Sequence, residues 1–306
     1  MMLSLASLAA SEECAAPSPV VVIPASDAAN STRHFASLPC ETAAASVLSR
    51  IPENMISTNA APGEGSPIAD APLWKISPRT DTCFRAIVDN LLSEEEAMAL
   101  SQALEPALLA GLGADGTSVV PIPTASAVGG VWARAAGGDG ERARLIALAL
   151  QRSKEQLKAF GVAEDSLVPT PHVVARTDRP QSVQGRETSD AAERARERRT
   201  ALAEGRWSIA QAIGEASHSV RPHIDALYMP NTRFTVLVYL TGQFVEGGET
   251  LIVDEVAGDV VTSGVLATPR AGRAFVYSST AENVHTSLGS LRGTRSMLQF
   301  WFEARI

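Results

Sequence analysis

His223 and Asp225, two residues apart, with His285 sixty-two residues after His223 and Arg295 ten residues beyond that, place the tightest constraint on what this chain can fold into. In a strand, side chains at i and i+2 point to the same face, so His223 and Asp225 project together while Ile224 packs on the opposite side. A third partner from a distant strand requires a scaffold that brings such strands together, as a β-barrel does. Two histidines and one carboxylate cover one face of a ferrous ion and leave its other positions open. An arginine just past the second histidine suits a cosubstrate that bears a carboxylate. Singly, each residue is ordinary, and a lone histidine is more often a hydrogen-bonded core or surface group. The ordered set that follows, with Tyr239, the turn Gly247-Gly248-Glu249-Thr250, Gly272, His285, Arg295 and Trp301, makes metal binding the stronger reading.

The order and spacing of these stretches carry a resemblance. Arg221-Pro222-His223-Ile224-Asp225, the run from Arg233 to Thr241 and the turn at 247–250 come first. The run from Pro269 to Tyr277, then His285, and the run from Arg295 to Phe302 complete the set. Residues 207–306 resemble the catalytic domain of iron(II)- and 2-oxoglutarate-dependent dioxygenases, in the prolyl 4-hydroxylase-like branch. The strong part covers about a third of the chain, and the stretch from Phe84 to about Leu109 is weakly similar to the strand and helix that often precede such a core. The resemblance implies Fe(II) held by His223, Asp225 and His285, 2-oxoglutarate as cosubstrate, and L-ascorbate as reductant. By position, Arg295 takes the far carboxylate of 2-oxoglutarate, with Arg292 a nearby rival. Tyr239 is placed to donate to the same carboxylate or to serve as a core aromatic. Thr250 and Trp301 either line the pocket or pack the core.

The fold class expected is α+β, mainly β. A double-stranded β-helix, or jelly roll, forms the core, with helices packed on one sheet. Thr235–Tyr239 and Phe275–Tyr277 read as short strands, as does the period-two run Ile209–Ile213. Phe84–Val88 reads as a strand. Ser93 starts a helix with Glu96 completing a capping box, and Ala97, Leu100, Leu104 and Leu108 form its apolar face. Pro106 is expected to bend or shorten that helix. A second helix over 141–160 carries Leu145, Leu148, Ala149 and Leu157 at helical spacing. Residues 111–140 read as a Gly-rich loop with a short strand near Val131-Trp132. The stretch from Leu167 to Ala175 reads as a strand kept at an edge, or split, by Pro169 and Pro171.

Domain organisation follows from composition. Residues 1–78, rich in Ala, Ser and Pro, bury too little apolar surface to offset chain entropy and read as a disordered or loose, low-complexity segment, with order starting near Leu73-Trp74. Residues 79–306 read as one dioxygenase domain: helical support over 79–175, a charged insert over 176–206, and the jelly-roll core over 207–306. The insert, with Glu193-Arg194-Ala195-Arg196-Glu197-Arg198-Arg199 at its centre, reads first as a solvated helix and second as a substrate lid.

A net charge of −8 gives no basic footprint, so no nucleic-acid partner is expected. Three cysteines, Cys14, Cys40 and Cys83, give no disulfide framework, and a reducing compartment fits reduced iron. No membrane span is expected, because no apolar run reaches the length of one. The start is a poor signal peptide, since it lacks a positive flank and Glu12 and Glu13 follow at once. The cytoplasm is favoured, with an organelle transit segment as the alternative.

One departure bears on substrate. The branch usually carries tyrosines shortly before its HxD, whereas Ile213–Pro222 contains none, and His218 or Arg221 stand there instead. His218 and His172 read as ordinary histidines rather than ligands. The activity implied is hydroxylation of a C–H bond coupled to decarboxylation of 2-oxoglutarate to succinate and CO2. A peptidyl proline in a protein or peptide partner is the first substrate reading, and a free amino acid or small molecule the second. A non-catalytic metal-binding jelly roll acting as an interaction module is the reading from another class.

Overall fold

The computed structural model describes residues 20–23, 32–38, 51, 83–113, 116–123, 140–163, 167–170, 172–178, 190–210, 222–228, 231–241 and 244–303. In chain order its elements begin with β1 (Val21–Ile23), β2 (Thr32–Leu38), β3 (Cys83–Val88), α1 (Glu94–Ala110), β4 (Thr117–Pro123), α2 (Gly140–Ala159), β5 (Val168–Pro169), β6 (His172–Asp178) and α3 (Ala191–Ala203). They continue with α4 (Asp225–Tyr228), β7 (Thr232–Tyr239), β8 (Glu246–Gly247), β9 (Thr250–Ala257), β10 (Val260–Ala267), β11 (Ala274–Ser278), a 3-10 turn at Ala281–Asn283, β12 (His285–Ser287), β13 (Ser290–Arg292) and β14 (Arg295–Glu303).

Two sheets face one another as a jelly roll. The large sheet runs β2-β3-β11-β7-β14-β6-β4, with β5 also pairing β14, and the small sheet runs β1-β10-β9-β12. Strand β7 is buried on both faces, and from Phe234 to Tyr239 only Thr235 breaks its apolar run. Its inward residues Leu237 and Tyr239 join Ile87, Phe275, Tyr277 and Met297 against Ile252, Val265 and Ala267 of the small sheet. Its outward residues Val236 and Val238 pack with Phe84, Val276 and Phe300 beneath α1 and α2.

Helix α1 starts where the capping box places it: Glu96 N–H donates to Ser93 Oγ at 3.1 Å and Ser93 N–H donates to Glu96 Oε2 at 2.8 Å. Each bond satisfies an otherwise orphaned amide of the first turn. Ala97, Leu100, Leu104 and Leu108 are buried, and the helix runs on through Pro106 to Ala110, so the expected shortening does not occur. Arg152 of α2 donates to the capping carboxylate of Glu96 and to Leu91 O, which ties the two helices together.

Several expectations are corrected. Thr117–Pro123, read as loop, is β4, and its Pro121 and Pro123 are tolerated because β4 is the edge strand of the sheet. The stretch around Pro169 and Pro171 does split, into β5 and β6, but β6 lies between β14 and β4 rather than at an edge. From the segment expected to be loose, β1 pairs parallel with β10 and β2 pairs antiparallel with β3. Main-chain pairing, which composition does not report, recruits both. Ile209–Ile213 does not begin as a strand: Ser208 makes a single bridge to Val260, and Ile209 and Ala210 are helical. Cys83 is disulfide-bonded, a single bridge that the reading of no disulfide framework did not anticipate. The readings for Leu73-Trp74, Val131-Trp132, His218 and Arg221 also lie outside them. No helix among the described residues is long and apolar enough to cross a membrane.

The insert helix α3 is not solvated all round. Ala191, Ala195, Arg198 and Leu202 are buried, and Leu202 packs with Trp207, Ile224, Leu251 and Val284 over the outer face of the small sheet. Arg198 and Arg199 both form ion pairs with the fully buried Glu249 of the 247–250 turn. Gly247 is required there: its φ is +78°, and a Cβ would meet Arg198 Nη2 at 2.7 Å and Gly289 O at 2.8 Å.

Candidate functional site

His223, Asp225 and His285 come together beside β12. Their ligand atoms all lie within 4.8 Å of one another. The local route differs from the expected strand. His223 pairs only with His285, through N–H···O bonds of 2.9 and 3.0 Å in the two directions, and continues the small sheet by one residue beyond β12. The chain then leaves the strand, and Asp225 opens α4. A directly opposed pair faces the same side of a sheet, so the two imidazoles lie with ring centroids 4.2 Å apart. Asp225 Oδ1 is 3.7 Å from Nε2 of His223 and 3.7 Å from Nε2 of His285.

His285 is held by its other nitrogen, since Nδ1 lies 3.0 Å from the carbonyl of Asn283. A carbonyl only accepts, so Nδ1 carries the proton and Nε2 presents a lone pair. Burial, helped by His223 and opposed by Asp225, pushes the His285 imidazole down to about 4. It is therefore neutral at physiological pH. Burial works against ionisation of Asp225, but His285, His223 and a hydrogen bond from Thr235 together hold its carboxyl well below the usual carboxylate range.

This yields a pH prediction for the metal-free protein. Between pH 6.5 and 4 the unfolded histidine binds a proton that the folded one refuses. Stability present above the unfolded value is thus lost as pH falls through the folded one, by on the order of 3 kcal/mol. Denaturant melts should show that acid slope in wild type and a shallower one in His285→Gln. Equal slopes would contradict it.

Of the other residues singled out in the sequence, Arg295, Tyr239, Thr250 and Trp301 are buried. Arg295, at the start of β14, is 2% exposed, and its Nε donates to Asp178 Oδ1 at 2.7 Å and its Nη1 to Gly248 O at 2.8 Å. A guanidinium has five N–H donors, and among the described residues two of those of Arg295 are used in this way. Tyr239 is fully buried and donates to Thr250 Oγ1 at 2.5 Å, close enough to Arg295 to feel its charge. Burial raises the phenol above its ordinary value, so it acts as a neutral donor. Trp301 lies six residues along β14 on the inward face of Arg295, paired with Thr235, and its buried indole N–H has no hydrogen-bond partner among the described residues. Arg292 is a surface residue that ion-pairs with Glu246, and so is not a rival to Arg295.

Four residues escaped the sequence reading. Thr235 donates to Asp225 Oδ2 at 2.6 Å, and Tyr277 donates to the same oxygen at 3.0 Å. Asp178 holds Arg295, and Ser290 donates to Asp178 Oδ2 at 3.0 Å. The sequence places Thr235 and Tyr277 in strands, but β7 and β11 are buried on both faces and show no alternation that would assign either residue to the inward face. What they touch there depends on the second sheet, which a strand pattern does not encode.

Residues 208–303 match the family model of the 2OG-Fe(II) oxygenase superfamily, which bears out the resemblance seen in the sequence. No curated protein sequence matches the chain. Among solved structures, the viral collagen prolyl hydroxylase of Paramecium Bursaria Chlorella virus-1, in its 2OG complex, is 16% identical with a TM-score of 0.43, over 72% of this chain and 96% of that one. A Pseudomonas putida prolyl-4-hydroxylase is 16% identical with a TM-score of 0.43, over 72% and 93%. A Trichoplax adhaerens prolyl hydroxylase, in complex with a hypoxia inducible factor oxygen degradation domain peptide fragment, is 13% identical with a TM-score of 0.41, over 72% and 83%.

Proposed function

We propose that this protein is an Fe(II)- and 2-oxoglutarate-dependent dioxygenase that hydroxylates a C–H bond. The observation that carries the reading is the convergence of Nε2 of His223, Oδ1 of Asp225 and Nε2 of His285 in a jelly roll. The donor set fits a ferrous ion: two imidazoles and one ionised carboxylate, with His285 fixed by a carbonyl so that its lone pair faces the site. When bound, iron supplies the activation of dioxygen, with 2-oxoglutarate decarboxylated to succinate and CO2. The chain's own residues bind and orient. Arg295 would take the far carboxylate of 2-oxoglutarate with its remaining N–H groups, beside Tyr239 and Thr250. Trp301, whose indole N–H has no hydrogen-bond partner among the described residues, would wall the pocket. L-Ascorbate is the reductant proposed to keep the iron ferrous between turnovers.

The motif order favours a peptidyl proline as substrate, and the lack of tyrosines over 213–222 favours a free amino acid or other small molecule. Succinate formation from 2-oxoglutarate by the purified full chain, with Fe(II), ascorbate and air, tests the activity. Addition of proline-containing peptides and of free amino acids then separates the two substrate readings by which one stimulates succinate release. A protein that forms no succinate with either class, and binds no 2-oxoglutarate, would be a non-catalytic module instead.

A further inference from the structure

Tyr277 stands at a position where packing alone asks only for an aromatic ring. It is fully buried in the layer between the sheets, beside Phe275, Leu237 and Ile252. Its hydroxyl lies 3.0 Å from Asp225 Oδ2 and 3.0 Å from Nε2 of His285. A phenol has one proton and both neighbours are acceptors, because the proton of His285 is on Nδ1. The charged carboxylate is the stronger acceptor of the two. Thr235 donates to the same Oδ2 at 2.6 Å and lies 2.7 Å from Ser279 Oγ. The two oxygens of Asp225 are thereby differentiated: Oδ2 faces two hydroxyls, while Oδ1 faces the two imidazoles at 3.7 Å each.

We propose that Tyr277 is a positioning residue for the metal, which with Thr235 ties down Asp225 Oδ2 so that the carboxylate meets the ion through Oδ1 alone. This rests on reading His223, Asp225 and His285 as the metal triad. A carboxylate free to swing can grip an ion with both oxygens and occupy a position that cosubstrate or dioxygen needs. Tyr277 and Thr235 remove that option. Once an ion takes the lone pair of His285, Asp225 is the acceptor left to the phenol, so metal binding and the Tyr277–Asp225 bond reinforce each other. Outer partners of this kind change metal affinity by about 10–100-fold when removed.

The test uses Co(II), an air-stable probe whose visible bands report the number and arrangement of ligands, titrated into the full-length protein. Wild type binds one equivalent, and His223→Ala loses the signal; a wild type that binds nothing would sink the triad reading itself. Given wild-type binding, Tyr277→Phe should bind about 10–100-fold more weakly and show a changed band shape, with an unchanged thermal midpoint in the absence of metal. Thr235→Val acts on the same oxygen and should move both readouts in the same direction, and it serves as the test if Tyr277→Phe does not fold. Wild-type affinity and spectrum in the variant that folds would overturn the proposal. So would a visible phenolate-to-iron band in the ferric protein that disappears in Tyr277→Phe, since the phenol would then be a ligand itself.

Discussion

His223→Ala binds ferrous iron more than about 100-fold more weakly than wild type, beyond the range seen for outer partners of a metal site, and forms no succinate above background. The expectation is sharp because the substitution removes chemistry and little else. The strand pairing at this position uses the backbone of His223 and His285, bonded at 2.9 and 3.0 Å, and alanine retains it. The imidazole is itself 12% exposed, so no large cavity opens in the core. Thermal melting of the metal-free variant, beside anaerobic titration of iron, separates loss of site from loss of fold. Retained iron affinity would show that the triad is not the site. Arg295→Lys is the companion variant: it keeps a cation beside Asp178 but loses the planar fork, so the KM for 2-oxoglutarate rises more than kcat falls.

Glu249→Ala is the second large effect, and it acts on stability. The Glu249 carboxylate is fully buried between Arg198, whose side chain is 3% exposed, and Arg199, which is 28% exposed. Removing one partner of a buried pair strands the other charge, at about 3–5 kcal/mol. For a chain of this size that lowers the melting temperature by roughly 6–15 °C. Replacing both buried partners, as in Arg198→Met with Glu249→Leu, should recover much of the loss, because a well-packed apolar pair is often as stable as an ion pair. The single variant should also raise the KM for 2-oxoglutarate. The turn that Glu249 anchors supplies Gly248 O to Arg295 and leads into Thr250, which receives the Tyr239 hydroxyl. An unchanged melting temperature would mean that α3 does not hold the turn.

That ion pair also shows where sequence reading stops. The glycines of the turn and the charge run of α3 are both plain in the sequence, yet nothing in either says that Arg198 is buried against Glu249, fifty-one residues away. A mixed-charge helix reads as solvated because its pattern reports its own periodicity and not what lies opposite. The candidate triad was legible for the opposite reason: two histidines and a carboxylate are the donor types a ferrous ion takes, and their order along the chain resembles that of a known family. Its backbone was not, since Asp225 reaches the site from the first turn of a short helix rather than along a strand. Likewise β1 and β2 join the sheets through main-chain bonds that an Ala-, Ser- and Pro-rich composition conceals. Tyr277 and Thr235 were legible as strand residues, but their facing and their role depend on where Asp225 lands, which only the packed structure reveals.

The most direct measurement is the visible spectrum of the full-length protein with Fe(II) under anaerobic conditions as 2-oxoglutarate is added. Chelation of the iron by the 2-oxo acid gives a charge-transfer band that needs no prime substrate. The account predicts such a band, saturating at one equivalent, absent in His285→Ala and shifted to much higher 2-oxoglutarate concentration in Arg295→Lys. No band in wild type that has bound its iron would contradict it.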